Sequence, residues 1–282
     1  MTECRYCGSK NLIKRGARKT QSRGKIQRFY CKDCKRRFVI KDGFFRMRND
    51  PRKITASIDL YYRGMSLRKA QEHLGVFYEH NASHQTILNW IRKYARMIGK
   101  FVDGLELKNS SQLTFDEIEF KTKGKQSYFF DVMDMETRYI VGSNYFYKRG
   151  RKELKQVLDG TYKRLSQEPT DVYTDGLQVY PYVIRKSLWK TRVGTSLTQH
   201  VTASNSGAFN WKIERLHENI RERTKTMRQF KSLHSARAIM KGWEIWYNFC
   251  RKHQGINAYP YELATDLKLG QNKWLDLIEL SI

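Results

Sequence analysis

Four cysteines fall in two pairs, Cys4-x2-Cys7 and Cys31-x2-Cys34, and a fifth, Cys250, stands alone. Two residues between thiols let one tight turn aim both sulfurs at a single ion. Two such turns supply the four soft ligands of a closed tetrahedral site, the preference of Zn2+. With no position left for water, such an ion is structural and supplies folding energy that so short a segment lacks in a core of its own. The second set of candidates is carboxylates. Asp116 lies within a strand-like run, Asp175 ends another, and Glu214 sits at the edge of an amphipathic helix-like stretch. Brought together, three such acids offer the hard oxygens that Mg2+ or Mn2+ prefer, and two ions held in that way can cut phosphodiesters. Spacing alone does not separate these three from Asp131 or Asp134.

The elements that must position these groups can be read from local patterns. Between the cysteine pairs, Gly16, Gly24 and the alternating run Ile26 to Tyr30 predict short antiparallel strands, so residues 1–50 have the outline of a zinc ribbon. Residues 51–102 turn helical. A first helix, Ile54 to Arg63, is stopped by Gly64; a second is capped by Ser66 and ended by Gly75; a third follows Ser83, with Ile87, Ile91, Tyr94 and Ile98 on one face. Three helices with a basic last member predict a helix-turn-helix, with His84, Gln85 and Thr86 as candidate base readers and Arg92 beside them. The polar stretch 103–111 reads as a linker. Beyond it, Gln112–Phe120, Gln126–Met133 and Arg138–Phe146 form a three-stranded meander, Arg151 to Leu165 is helical, and Asp171–Thr174 is a fourth strand. Residues 112–282 are therefore expected to be an α/β domain with a mixed sheet flanked by helices. The stripe Ile239, Trp243, Trp246 and Cys250 reads as core, with Cys250 an inert buried thiol.

Lys and Arg number 54 against 28 Asp and Glu, a formal net charge of +26 that points to a polyanionic partner. The first fifty residues alone hold 16 basic and four acidic side chains. Around the second cysteine pair, Arg28, Lys35, Arg36 and Arg37 are phosphate-contact candidates; further on, Arg215, Arg221, Arg223, Lys225, Arg228 and Lys231 form a basic belt beside Glu214. No run is apolar and long enough to span a membrane, and the start has no signal-like pattern, so a cytoplasmic, nucleoid-associated protein without membrane contact is expected.

Several stretches taken together resemble an insertion-sequence transposase of the DDE class, of the short single-protein type. They are Thr114-Phe115-Asp116-Glu117, Thr174-Asp175-Gly176 with Tyr180, Asn210 to His217, Arg228 to Ser232, and Tyr247 to His253. The resemblance runs over nearly the whole chain. It implies a ribonuclease-H-like catalytic domain in which Asp116, Asp175 and Glu214 hold two Mg2+ or Mn2+ ions. It further implies cleavage at transposon ends, joining of the freed 3′ hydroxyl to target DNA, and action on double-stranded DNA as at least a dimer. Two positions depart from the pattern: Gln229 stands where Gly is usual, and the helix-turn-helix loop is longer. An inactive DNA-binding relative and a structure-specific nuclease of the same fold are the alternatives.

Overall fold

A computed structural model describes residues 3–20, 23–40, 42–78, 82–189, 196–201, 211–227 and 229–282. The N-terminal module is a three-stranded antiparallel sheet of β1 (Leu12–Thr20), β2 (Gly24–Cys31) and β3 (Arg37–Phe38), in that order. Its own core is very small, with Cys4, Cys31 and Phe38 buried and Leu12, Phe29 and Cys34 packed against them.

Three helices follow: α1 (Pro51–Tyr62), α2 (Leu67–Tyr78) and α3 (His84–Val102). Asp50 caps α1 by accepting from the Arg52 N–H at 2.7 Å, with Pro51 filling a first-turn position that has no use for an N–H. Ser83 caps α3 in the same way through the Thr86 N–H, at 3.2 Å. The expected stop at Gly75 is wrong: α2 continues through it to Tyr78. An interior glycine costs a helix only about 1 kcal/mol, and although Val76, Phe77 and Tyr78 beyond it are exposed, the His73 and Phe77 rings meet across it with centroids 4.7 Å apart.

The α/β domain is built on a five-stranded sheet. β4 (Gln112–Thr122), β5 (Lys125–Asp134) and β6 (Ile140–Phe146) are the antiparallel meander; β7 (Asp171–Thr174) and β8 (Thr198–Val201) run parallel to β4 on its other side, giving the order β6-β5-β4-β7-β8. This is the ribonuclease-H-like mixed sheet. The turn between β4 and β5 is the dipeptide Lys123-Gly124, both with positive φ (53° and 76°), the backbone that a two-residue hairpin favours. One face carries α4 (Arg151–Tyr162) and α5 (Tyr180–Leu188), with Thr161 above Gly142 and Tyr180 against Phe115. The other carries α6 (Trp211–Thr224) and α7 (Leu233–Ile245), which join the sheet through His217 and Asp131 and through Glu244 and Ser143. α7 ends in a π-helical turn, Trp246–Cys250, whose wider spiral buries Tyr247, Asn248, Phe249 and Cys250 together. Burial pushes the Cys250 thiol well above its usual range, as an inert thiol requires. Two short helices, α8 (Pro260–Ala264) and α9 (Lys273–Leu280), complete the chain.

The core is continuous from Phe44 through all three N-terminal helices and the sheet to Ile278. The stretch 103–111, expected to be a linker, is tied to the α/β domain: the Leu107 N–H donates to the Arg164 carbonyl at 2.8 Å, and Lys241 reaches Asp103 at 2.8 Å.

Candidate active site

Asp116 is central in β4. Its direct partner across the antiparallel ladder is Asp131 of β5, and because side chains opposite one another point to the same face, the two carboxylates confront each other. On the other side, β4 and β7 run parallel with Thr114 beside Tyr173 as their last pair. Asp116 and Asp175 each lie two residues beyond that pair, at one height on neighbouring strands whose axes stand about 4.8 Å apart. Asp175 is fixed there by accepting the Leu177 N–H at 3.1 Å.

α6 brings the third component. Ile213, Leu216 and Ile220 bury one side of this helix, and His217 is buried with them. Its Nε2 lies 3.0 Å from Asp131 Oδ2, and its Nδ1 lies 3.7 Å from Asp116 Oδ2. Glu214 is one turn earlier and exposed, displaced by about 4.5 Å along the helix axis from the residue that touches Asp116. Burial pushes the Asp116 carboxyl up to about 7, against the pull of His217 and of the Glu117 N–H, with Asp131 adding to the rise. Asp131, wholly buried, is raised as well, and its Oδ1 has no hydrogen-bond partner. His217 loses by burial but is held above the ordinary imidazole range by Asp131 and Asp116.

The neighbouring acids that spacing could not set apart are now distinguished. Asp134 is consumed by structure: Oδ1 accepts from the Glu136 and Thr137 N–H groups and the Thr137 hydroxyl, and Oδ2 accepts from the Ser110 N–H at 2.6 Å. Glu117 points to the opposite face, bound by Arg149 at 2.7 Å and by the Tyr180 hydroxyl. Of the two acids in the β4–β5 pair, only Asp116 keeps access to solvent, with 17% of its side chain exposed against 0% for Asp131.

Sequence patterns missed the Asp131–His217 pair, although a signal existed. A two-residue turn at Lys123-Gly124 pairs Thr122 with Lys125, and counting back along the two strands sets Asp116 opposite Asp131.

The donor set suits divalent cations: carboxylate oxygens, one of them desolvated so that it gains from a positive neighbour. Asp116, Asp175 and Glu214 do not all draw within 4.8 Å of one another; among the described residues only Cys4, Cys7, Cys31 and Cys34 do. In the cysteine cluster the Cys4–Cys34 and Cys7–Cys31 sulfurs are each 3.6 Å apart. A tetrahedron with ~2.3 Å bonds to zinc has edges of about 3.8 Å, so these thiols already stand at zinc-binding distances.

Residues 110–253 match a family described as a DDE domain. The chain belongs to this DDE family. An uncharacterized protein of Methanocaldococcus jannaschii is 31% identical over 136 residues, 48% of this chain; the match spans only 59% of that relative's length. Among solved structures, the magnesium-bound HTLV-2 integrase catalytic core is 12% identical with a TM-score of 0.39, over 57% of this chain and 98% of its own. A simian T-cell lymphotropic virus intasome is 14% identical with a TM-score of 0.41, over 77% of this chain and 74% of its own. The match to the DDE family takes in β4 to the π-turn, and thus Asp116, Asp131, Asp175, Glu214 and His217.

Around this DDE domain the basic residues divide. Arg215, Arg221, Lys225 and Lys231 are exposed, whereas Arg223 is buried, its guanidinium 3.7 Å from the centre of the Tyr61 ring and bonded to Thr226. It ties α6 to α1 and cannot serve the belt to which its charge assigned it. Arg92 is likewise withdrawn, bonded to Ser235 of α7 at 2.8 Å. Helical spacing could not set these two apart from the exposed cations, because it reports the face and not what packs on it. Arg228 and Asn210 lie outside the described residues. At the start of α3, His84 and Gln85 are exposed and Thr86 half-buried; Arg28, Lys35, Arg36 and Arg37 are exposed on the N-terminal module. Gln229, the departure from the family pattern, accepts the Gly124 N–H at 3.1 Å and so braces the β4–β5 turn away from the acids. Among the described residues, no helix is long and apolar enough to cross a membrane.

Proposed function

We propose that this protein is a transposase that cuts DNA at the ends of a mobile element and joins the freed 3′ ends to target DNA, with Asp116, Asp175 and Glu214 as the catalytic acids. The observation that carries this reading is the placement of Asp116 and Asp175 at one height on adjacent parallel strands, with Glu214 one turn from the histidine that contacts Asp116. These three residues would hold two Mg2+ or Mn2+ ions, which supply an activated water and stabilise the departing 3′ oxygen. Asp131 and His217 act behind them: the Asp131 carboxylate fixes the imidazole, and the imidazole limits the rotation of the Asp116 side chain. Arg215, Arg221, Lys225 and Lys231 contact phosphates and align the strand without reading it. His84, Gln85 and Thr86 at the start of α3 are the proposed readers of the terminal sequence, and Arg28, Lys35, Arg36 and Arg37 contact its backbone. Zn2+ in the four-cysteine cluster holds the N-terminal module, and joining two ends calls for at least a dimer on chromosomal DNA in the cytoplasm.

The test uses an oligonucleotide duplex carrying the repeats that flank the gene, in Mg2+. Wild type is expected to nick and join it, while Asp116→Ala, Asp175→Ala and Glu214→Ala bind it with unchanged affinity and do neither. Retained nicking in any of the three overturns the assignment of that residue. Nicking of branched duplexes in preference to repeat ends points instead to a structure-specific nuclease, and binding without cleavage by wild type to an inactive relative.

A further inference from the structure

The cations of the N-terminal module are ordered in a way that the expected knuckle contacts do not account for. The Arg36 guanidinium lies 5.0 Å from the centre of the Tyr6 ring, and Arg5 lies 4.9 Å from the same ring. Arg5 also stands 5.8 Å from the Phe45 ring, which Arg46 approaches to 5.5 Å. Guanidinium and ring therefore alternate, Arg36, Tyr6, Arg5, Phe45, Arg46, from the second cysteine knuckle to the turn at residues 42–48. Arg5 and Arg46 open into a cleft of about 780 Å3 between that turn and the β1–β2 hairpin, where Arg18, Lys19 and Arg48 join them. Ile26, Val39 and Met47 line it too, and no acidic side chain does among the described residues.

The cleft is held in shape. Arg23 lines it, pairs with Asp42 and donates to the Phe44 carbonyl at 3.1 Å, locking the turn to the hairpin. Arg46 has φ of 61°, a left-handed backbone that is strained for a residue with a side chain. Flanking bonds from the Phe45 N–H to the Asp42 carbonyl and from the Met47 N–H to the Phe44 carbonyl sustain it. Among the described residues Arg5, Arg18, Lys19, Arg46 and Arg48 form no ion pair with an acid. Rings that stack on guanidiniums leave the planar N–H forks free at their edges and remove part of the entropy cost of ordering them. That arrangement suits phosphate oxygens. It suits stacked bases less, because Tyr6 and Phe45 each have guanidiniums beside them.

We propose that this cleft is a second docking site on the protein, which grips the phosphate backbone of double-stranded DNA through Arg5, Arg46 and Arg48 irrespective of sequence. The site is separate from the acids of the α/β domain and from the first turn of α3, and it rests on the proposed function only in that DNA is the partner.

The experiment uses the full-length zinc-loaded chain and a labelled duplex of arbitrary sequence, with affinity followed by fluorescence anisotropy over a range of salt. Each phosphate that the protein no longer neutralises lowers the slope of log K against log salt by about 0.9. The double variant Arg46→Gln/Arg48→Gln is expected to lower the slope by about two and to weaken binding at least tenfold at low salt. Arg18→Gln/Lys19→Gln, on an exposed strand where folding is not at issue, should act in the same direction. Unchanged slope in both variants overturns the proposal, as does loss of affinity for single-stranded DNA in place of duplex. If slopes fall as expected but wild type cleaves no DNA, the cleft stands and the transposase reading falls; if wild type cleaves and the slopes do not move, the reverse holds.

Discussion

Asp116 and Asp131 face each other across a strand pair, an arrangement that costs stability because like charges directly opposite repel by up to about 1 kcal/mol and both are largely desolvated. A fold selected for stability alone would not keep it. His217 offsets the cost by placing its ring between them, yet Asp131 Oδ1 remains without a partner. The two acids should therefore respond oppositely to substitution. Asp116→Asn removes charge from the solvent-facing member and is expected to raise unfolding free energy by about 1 kcal/mol while abolishing cleavage. Asp131→Ala strands the His217 ring in the core and should lower it by about 3 kcal/mol. Urea unfolding of both variants reads the difference, and a loss of stability in Asp116→Asn would show that the pair is not in conflict. At this scale the sequence was partly legible. Strand patterns put Asp116 within a strand and Asp175 at a strand's end, as the fold has them, whereas the hydrogen bonds that tie Asp134 to its own turn are revealed by no spacing.

At the scale of elements, α6 and the turn after it carry two kinds of cation that look alike in sequence. Arg223 lies buried over Tyr61, and Lys225 is exposed two residues on. Arg223→Ala is expected to cost about 2 kcal/mol, because packing and the cation–π interaction between α6 and α1 both go, and to leave the salt slope of DNA binding unchanged. Lys225→Ala should leave stability unchanged and lower that slope by about 0.9. Thermal melts and anisotropy titrations on the same two preparations separate these outcomes; a lowered slope in Arg223→Ala would return that residue to the phosphate belt. The meander was readable because strands of seven to eleven residues show their alternation. β8, four residues long and half exposed, has too few buried positions to announce itself, and α5, nine residues long, is too short for its helical period to stand out. The extension of α2 past Gly75 was hidden for a different reason, since one interior glycine costs a helix only about 1 kcal/mol and need not stop it.

Across the whole molecule, one core joins the three helices after residue 50 to the α/β domain, and a second, far smaller one belongs to the N-terminal module. The segments 51–102 and 112–282, told apart by their helix and strand patterns, thus share one core: Tyr62 bonds the Ile239 carbonyl at 3.2 Å, and Trp274 stacks on Tyr62. The first fifty residues are different in kind. Most of β1 is exposed, three residues make up the buried cluster, and two of those are cysteines. Such a module has little burial to offset its own conformational entropy, and its four-cysteine cluster leads us to expect folding coupled to metal. Removing the metal with a strong chelator under reducing conditions is accordingly expected to unfold residues 4–38 alone. Hydrogen exchange should then show loss of protection in β1 and β2 with α1 to α9 unaffected. The main thermal transition should shift by less than about 3 °C, the change that roughly 1 kcal/mol would cause in a body of this size. Because Phe44 belongs to the large core while Arg23 and Asp42 lock the hairpin to the turn beside it, the same treatment should also loosen that lock and weaken DNA binding. A single cooperative loss of all structure on chelation would mean instead that the zinc module is integral to the main fold.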